Sequence, residues 1–184
     1  MSFKHIMKDV LTFLLLILVP MSSWGTDRIN WIRKEYSEIR SNLDFYEKKS
    51  IDYFGESSEG AEAVAHVGKN GEVKLIEVTY YGEMGKSSFE FYYSNDQVFF
   101  VLEQSYAYNT HIMMTEERAK EWAEVDGVMP EIFDPEKTQL EEWRYYFEGE
   151  KAVRVLGPKK NEVEDYERVK TALKISKEQL FQLR

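Results

Sequence analysis

The sequence predicts an α+β domain: an antiparallel sheet of about six strands built from hairpins, packed with a long N-terminal helix and a C-terminal helix, with a short helical insertion. Three observations predict it. Apolar residues recur at spacings of three and four up to about residue 49 and alternate after residue 60. Turn dipeptides then separate the alternating runs. One stretch also repeats without gaps, Tyr92 to Leu102 on Tyr146 to Leu156, with a weaker third copy from Asn70 to Ile76.

At the N-terminus, Lys4 and Lys8 precede the run Val10 to Val19, in which only Thr12 is polar, and Pro20 and Ser23-Trp24-Gly25 follow. This is the layout of a secretory signal peptide over residues 1–25, cleaved before Thr26, leaving 26–184 as a single α+β domain. The apolar run is about half the ~20 residues that a membrane-spanning helix needs. From Asp27 to Lys49 the stripe Ile29, Ile32, Tyr36, Ile39, Leu43 and Tyr46 predicts an amphipathic helix. Its other face carries Arg33, Lys34, Glu35, Glu38, Arg40 and Lys48 as a solvated surface.

A polar loop, Gly55 to Gly60, introduces the strands. Asn70-Gly71, Asn95-Asp96 and Gly149-Glu150 mark three hairpins. Parity puts Ile76, Val78 and Tyr80 on one face of their strand, Phe89, Phe91 and Tyr93 on one face of the next, and Trp143, Tyr145 and Phe147 on one face of a third. Val98 to Leu102 is apolar on both faces and predicts a strand covered on both sides. Thr115 caps a short helix, Glu116 to Glu124. Val163, Tyr166, Val169 and Leu173 give a last helical stripe, with Ser176 and Gln179 reading as a capping box for one further turn or two.

The chain has 184 residues, 24 Lys plus Arg against 33 Asp plus Glu, and no cysteine. Without Cys there is no thiolate metal site, iron–sulfur cluster, catalytic thiol or disulfide. Cleavage at residue 25 would remove Lys4, Lys8 and Asp9, leaving 22 basic against 32 acidic side chains, a balance of −10. Such a field repels nucleic acid phosphates and anionic lipids and attracts a basic protein.

The motifs that carry chemistry elsewhere fail here on spacing. Gly82 to Ser87 ends like a phosphate-binding loop, but two residues stand where four are required, and a strand follows rather than a helix. Gly55 to Gly60 lacks the final glycine of a nucleophile elbow. His66 and His111 read as structural histidines, and Glu56, Glu59 and Glu62 as a solvated acidic loop. No cofactor or metal is expected. Carboxylate pairs for glycan hydrolysis depend on spatial separation, which sequence does not give. Paired tyrosines, Tyr80-Tyr81, Tyr92-Tyr93 and Tyr145-Tyr146, put rings on both faces of strands, so each face is either core or a contact surface. The polar, aromatic segment leaving the apolar strand and the connection around residue 83 make the best binding site: Tyr81, Glu83, Lys86, Tyr106, Tyr108, Asn109 and His111.

Over Ala61 to Leu156, Tyr81-Gly82-Glu83-Met84-Gly85-Lys86-Ser87 and the hairpins Tyr92 to Asp96 and Tyr145 to Lys151 resemble exported bacterial proteins of uncharacterised function with repeated Tyr-Tyr-x-Asn-Gly-type hairpins. The resemblance implies a bacterial, periplasmic setting and brings no catalytic residues. The expectation is an exported, soluble, non-catalytic binding module, periplasmic or extracellular. It would act as an inhibitor or immunity-like protein toward a basic partner such as a lysozyme, without nucleic acid and without stable membrane insertion after signal cleavage. An envelope glycan hydrolase with a carboxylate pair and a structural envelope protein are the alternatives.

Overall fold

The computed structural model describes residues 22–51 and 59–183. The expected signal peptide lies outside them up to residue 21, as does most of the polar loop before the first hairpin, Glu56 included. Helix α1 spans Ser22–Ser41, and a single 3-10 turn, Leu43–Phe45, follows. The strands are β1 Glu47–Ile51, β2 Ala61–Val67, β3 Val73–Gly82, β4 Gly85–Ser94, β5 Gln97–Ala107, β6 Gln139–Glu148 and β7 Lys151–Leu156. Helix α2, Glu116–Asp126, sits between β5 and β6, and α3, Tyr166–Gln182, ends the described chain. The strands form one antiparallel sheet in chain order, β1 to β7.

The α+β class holds, with seven strands rather than about six. The extra strand is β1, which the apolar spacing assigns to the first helix. Asn42 leaves helical geometry (φ −113°, ψ 12°), yet Leu43 and Tyr46 still pack with the α1 cluster. The spacing therefore continues after the helix has ended. Glu47 to Ser50 are exposed, and lysines on a sheet edge keep other strands from pairing there. At the opposite edge, the Val163 amide donates to the Val155 carbonyl (3.1 Å) and the Gly157 amide to Asn161 (3.0 Å).

Each face of the sheet buries its own cluster. Ile76, Val78, Phe89, Phe91, Tyr93, Val101, Tyr145 and Phe147 face α3 together with Val169 and Leu173, on the parity expected. Leu75, Tyr92, Phe99, Phe100 and Tyr146 face Ile29, Ile32 and Ile39 of α1. The paired tyrosines at 92–93 and 145–146 are thus core on both sides, and β5 is covered on both faces.

The internal repeat has a structural meaning. Register shifts fall between Tyr92 and Tyr93 and between Tyr146 and Phe147, at positions the ungapped alignment equates. A third lies between His66 and Val67. Each bulge adds one residue beside its turn, so that Phe99 and Phe100 both reach the α1 side. Asn95 and Asp96 are both left-handed (φ 51° and 60°), as a two-residue turn matched to strand twist requires.

α3 is one unbroken helix, so Ser176 and Gln179 are not a cap. Both are buried. The Ser176 hydroxyl donates to the Leu173 carbonyl, and its own carbonyl accepts from the Tyr93 hydroxyl at 2.8 Å. Arg168 clamps the same helix to the sheet: it pairs with Glu103 at 2.7 Å and lies 4.3 Å over the Trp143 ring. Glu103 also accepts from the Tyr145 hydroxyl.

The phenols of Tyr92, Tyr93 and Tyr145 are held well above the ordinary value, by burial first and then, for Tyr92 and Tyr145, by Glu90 and Glu103. Raised folded values mean that their stabilising share is complete below pH about 10, where unfolded tyrosine stays neutral, and is lost as pH climbs toward the folded values. In an alkaline titration these three should yield phenolate absorbance only as far-UV circular dichroism collapses. Ionisation of all 12 tyrosines before unfolding would contradict the packing.

Candidate functional site

Beyond the residues that α1 covers, the same sheet face continues as an open polar surface. Parity with Leu75, Tyr92, Phe100 and Tyr146 puts Thr79 and Tyr81 of β3, Ser88 and Lys86 of β4, Gln104 and Tyr106 of β5, and Glu142 and Leu140 of β6 there. Tyr81 opposes Lys86, Lys86 opposes Tyr106, and Tyr106 opposes Leu140, one row across four strands. The Lys86 ammonium lies 4.8 Å from the Tyr106 ring centroid, a cation over a π face. The Tyr81 hydroxyl donates to Glu62 at 3.0 Å, and that bond, followed by burial, raises its pKa.

All seven residues singled out by sequence lie at this end of the sheet. Tyr81, Lys86 and Tyr106 share the row, whereas the other four hold the chain in place. Glu83 pairs with His111 at 2.9 Å and its carbonyl accepts from the Ile112 amide at 2.8 Å. The Tyr108 amide donates to Met84 (2.9 Å) and its ring stands edge-on to Phe133 at 5.1 Å. Asn109 staples the ends of the insertion: its Nδ2 donates to the Ile132 carbonyl at 2.8 Å, and its Oδ1 accepts from the Asp134 amide at 2.9 Å.

The failed phosphate-loop motif is a tight hairpin, with Gly82 and Gly85 paired around Glu83-Met84. Gly85 is required for another reason. A Cβ there would stand 2.2 Å from the Tyr106 carbonyl oxygen, so only glycine lets β4 approach β5 at the head of the row.

A cleft of about 570 Å³ opens between α1 and this surface. Arg33, Tyr36 and Arg40 line it from the helix, and Glu90, Leu102, Gln104, Glu142 and Arg144 from the sheet. Sequence reading missed the cleft because Arg33 and Arg40 read as solvated and Tyr36 as part of the packed stripe. The available signal was their spacing of three and four, which puts Arg33, Tyr36 and Arg40 along one edge. Arg40 lies 3.5 Å from Glu90 and 3.8 Å from Glu77, and Glu90 accepts from the Tyr92 hydroxyl. Glu77 binds buried His66 at 2.7 Å. Glu142 takes the Arg144 Nε at 2.8 Å and the Gln104 amide at 3.4 Å.

Both cleft carboxylates are engaged by neighbours, and the two histidines among the described residues, His66 and His111, are bound to glutamates rather than to a serine. His66 Nδ1 has no partner among the described residues. Among those residues no group of three or more potential ligands could hold a metal ion, and no helix is long and apolar enough to cross a membrane. No protein-family model, curated protein or solved structure matches the chain.

Two variants test the construction of this end. Gly85→Ala should cost about 1–3 kcal/mol through the forced contact with β5, read as a lower urea midpoint, and an unchanged midpoint would refute the close approach. Asn109→Ala leaves two backbone partners unpaired and should cost about 1–3 kcal/mol, with faster amide exchange at Asp134. Protection at Asp134 equal to that of the wild type would show that the staple is dispensable.

Proposed function

We propose that this chain is an exported, non-catalytic binding module, of the inhibitor or immunity kind, that engages a basic partner protein. The observation that carries the reading is the division of its acidic groups. Those near a candidate centre, Glu77, Glu83, Glu90, Glu103 and Glu142, are committed to arginine, histidine, tyrosine or glutamine neighbours within the fold. Most of the other acidic side chains among the described residues are exposed, and with a formal net charge of −9 for the chain such a surface steers association with an oppositely charged protein. The row Tyr81, Lys86, Tyr106 adds half-exposed rings of the sort that serve as contact anchors. The apolar run Val10 to Val19 and its basic flank support export.

The hydrolytic alternative would rest on Glu90 and Glu142, since both line one cleft. Neither carboxylate is left uncommitted, whereas a glycosidase needs one to carry a proton to the leaving oxygen. The binding reading therefore stands ahead of it.

The chain, immobilised and exposed to a periplasmic extract at low ionic strength, should retain a protein of basic isoelectric point that moderate salt releases. Retention that ignores salt, or of no basic protein, would overturn the proposal.

A further inference from the structure

Helix α2 buries only Ala119, although it carries a tryptophan and a valine. Trp122 and Val125 are 51% and 84% exposed, and their spacing of three puts them on one side of the helix. The chain on either side continues the exposure. Ile112 and Met113 precede the Thr115 cap and Met129 follows the helix, all three exposed. Ile112 is hydrogen-bonded to Glu83, next to exposed Met84. A helix of this length gains its stability from packing an apolar face, and here that face is turned to solvent. Isolated exposed apolar residues need no explanation, but a group that gathers in one insertion marks an interaction surface.

The same helix is strongly acidic. Glu116, Glu117, Glu121, Glu124 and Asp126 outnumber Arg118 and Lys120, and Lys120 is spent on Glu116 at 2.7 Å. We propose that α2 and the flanking Met84, Met113 and Met129 form the docking face for a basic amphipathic helix of a partner protein. This rests on the reading of the chain as a binder of basic proteins, and adds the surface and the chemistry of what it takes. Trp122 is the central anchor, since tryptophan is among the residues that dominate binding energy. The methionines supply adaptable apolar contact, and the glutamates pair with lysines or arginines bordering the partner's apolar stripe. A second copy of this chain would bring the same acidic helix against itself, and an anionic membrane surface would be repelled for the same reason.

The test uses the whole chain and a synthetic Leu/Lys amphipathic peptide of about 18 residues, five helical turns. A peptide of the same composition, scrambled to destroy the apolar face, is the control. Binding is read by calorimetry and by a blue shift in tryptophan emission. One variant carries Trp122→Ser with Val125→Ser, the other Glu117→Lys, Glu121→Lys and Glu124→Lys. All five positions are exposed, and circular dichroism verifies the fold.

The amphipathic peptide should bind the native chain at least tenfold more tightly than the scrambled one, and each variant should lose at least tenfold. Equal binding by the serine variant or of the scrambled peptide would overturn the docking face. So would preferential binding to anionic vesicles, or sedimentation as a dimer that the serine substitutions dissolve. A salt-released basic protein retained equally by native and serine variants would refute the surface alone. A peptide that binds as expected, with no basic protein retained from the extract, would refute the functional reading alone.

Discussion

The bulge at Tyr92 and Tyr93 ties the two halves of the core together. These neighbours point to opposite sides of β4: Tyr92 packs against Tyr36 and Phe100 of the α1 layer, 5.0 and 5.6 Å between ring centroids, and Tyr93 reaches the Ser176 carbonyl in α3. Both rings are essentially fully buried. A bulky pair in mid-sheet commits the protein to covering both faces, because leaving either ring in water would forgo roughly 1.5–3 kcal/mol of burial. The extra residue of that same bulge, Phe99 in β5, turns the same way as Phe100 and widens the floor on which α1 rests. Helices on both sides of an antiparallel sheet follow from this local geometry.

The two helices are held by polar bonds of the same kind. At one end of α1, Arg28 donates twice to the Phe147 carbonyl (2.9 and 3.1 Å), a group beside the β6 bulge, and lies 4.1 Å over the Trp31 ring. At the other end Arg40 faces Glu90 and Glu77. α3 is fixed by Arg168 with Glu103 and Tyr145. In each case a guanidinium lies beside a carboxylate or carbonyl and, for Arg28 and Arg168, over an aromatic face, uses to which lysine is less suited. Apolar burial supplies the area of contact, and these bonds fix where along the sheet each helix sits. That placement leaves half of the α1 face open.

Much of the architecture was legible in the sequence. The turn dipeptides located three hairpins, parity identified the α3-facing side of the strands, and the ungapped repeat marked two hairpins of the same kind, although the bulges they share were not legible. β1 was not legible, because Glu-Lys-Lys-Ser-Ile shows no alternation and the preceding Leu43 and Tyr46 prolong a helical spacing through a 3-10 turn. Ser176 and Gln179 match a cap by residue type, but the decisive fact is the distant Tyr93 hydroxyl. At the end of the sheet beyond α1, Tyr81, Lys86 and Tyr106 emerged as neighbours from strand pairing. Glu83, Tyr108, Asn109 and His111 were found for their polarity, although their bonds serve the loops. The arginines of the cleft escaped notice because a charged residue at the edge of an amphipathic helix looks the same whether it borders solvent or a cavity. The unpartnered state of Trp122 is a three-dimensional fact with only a weak trace in one dimension.

A meander of seven strands has two terminal rows of backbone groups, and here neither invites extension. Lys48 and Lys49 line one margin, and at the other the segment through Val163 doubles back onto β7. Templated growth of the sheet by another chain, the commonest route from a β-rich surface to fibrils, is therefore opposed at both margins. The recognition proposed for this chain correspondingly falls to side chains, on the open half-face and on α2, rather than to exposed main chain.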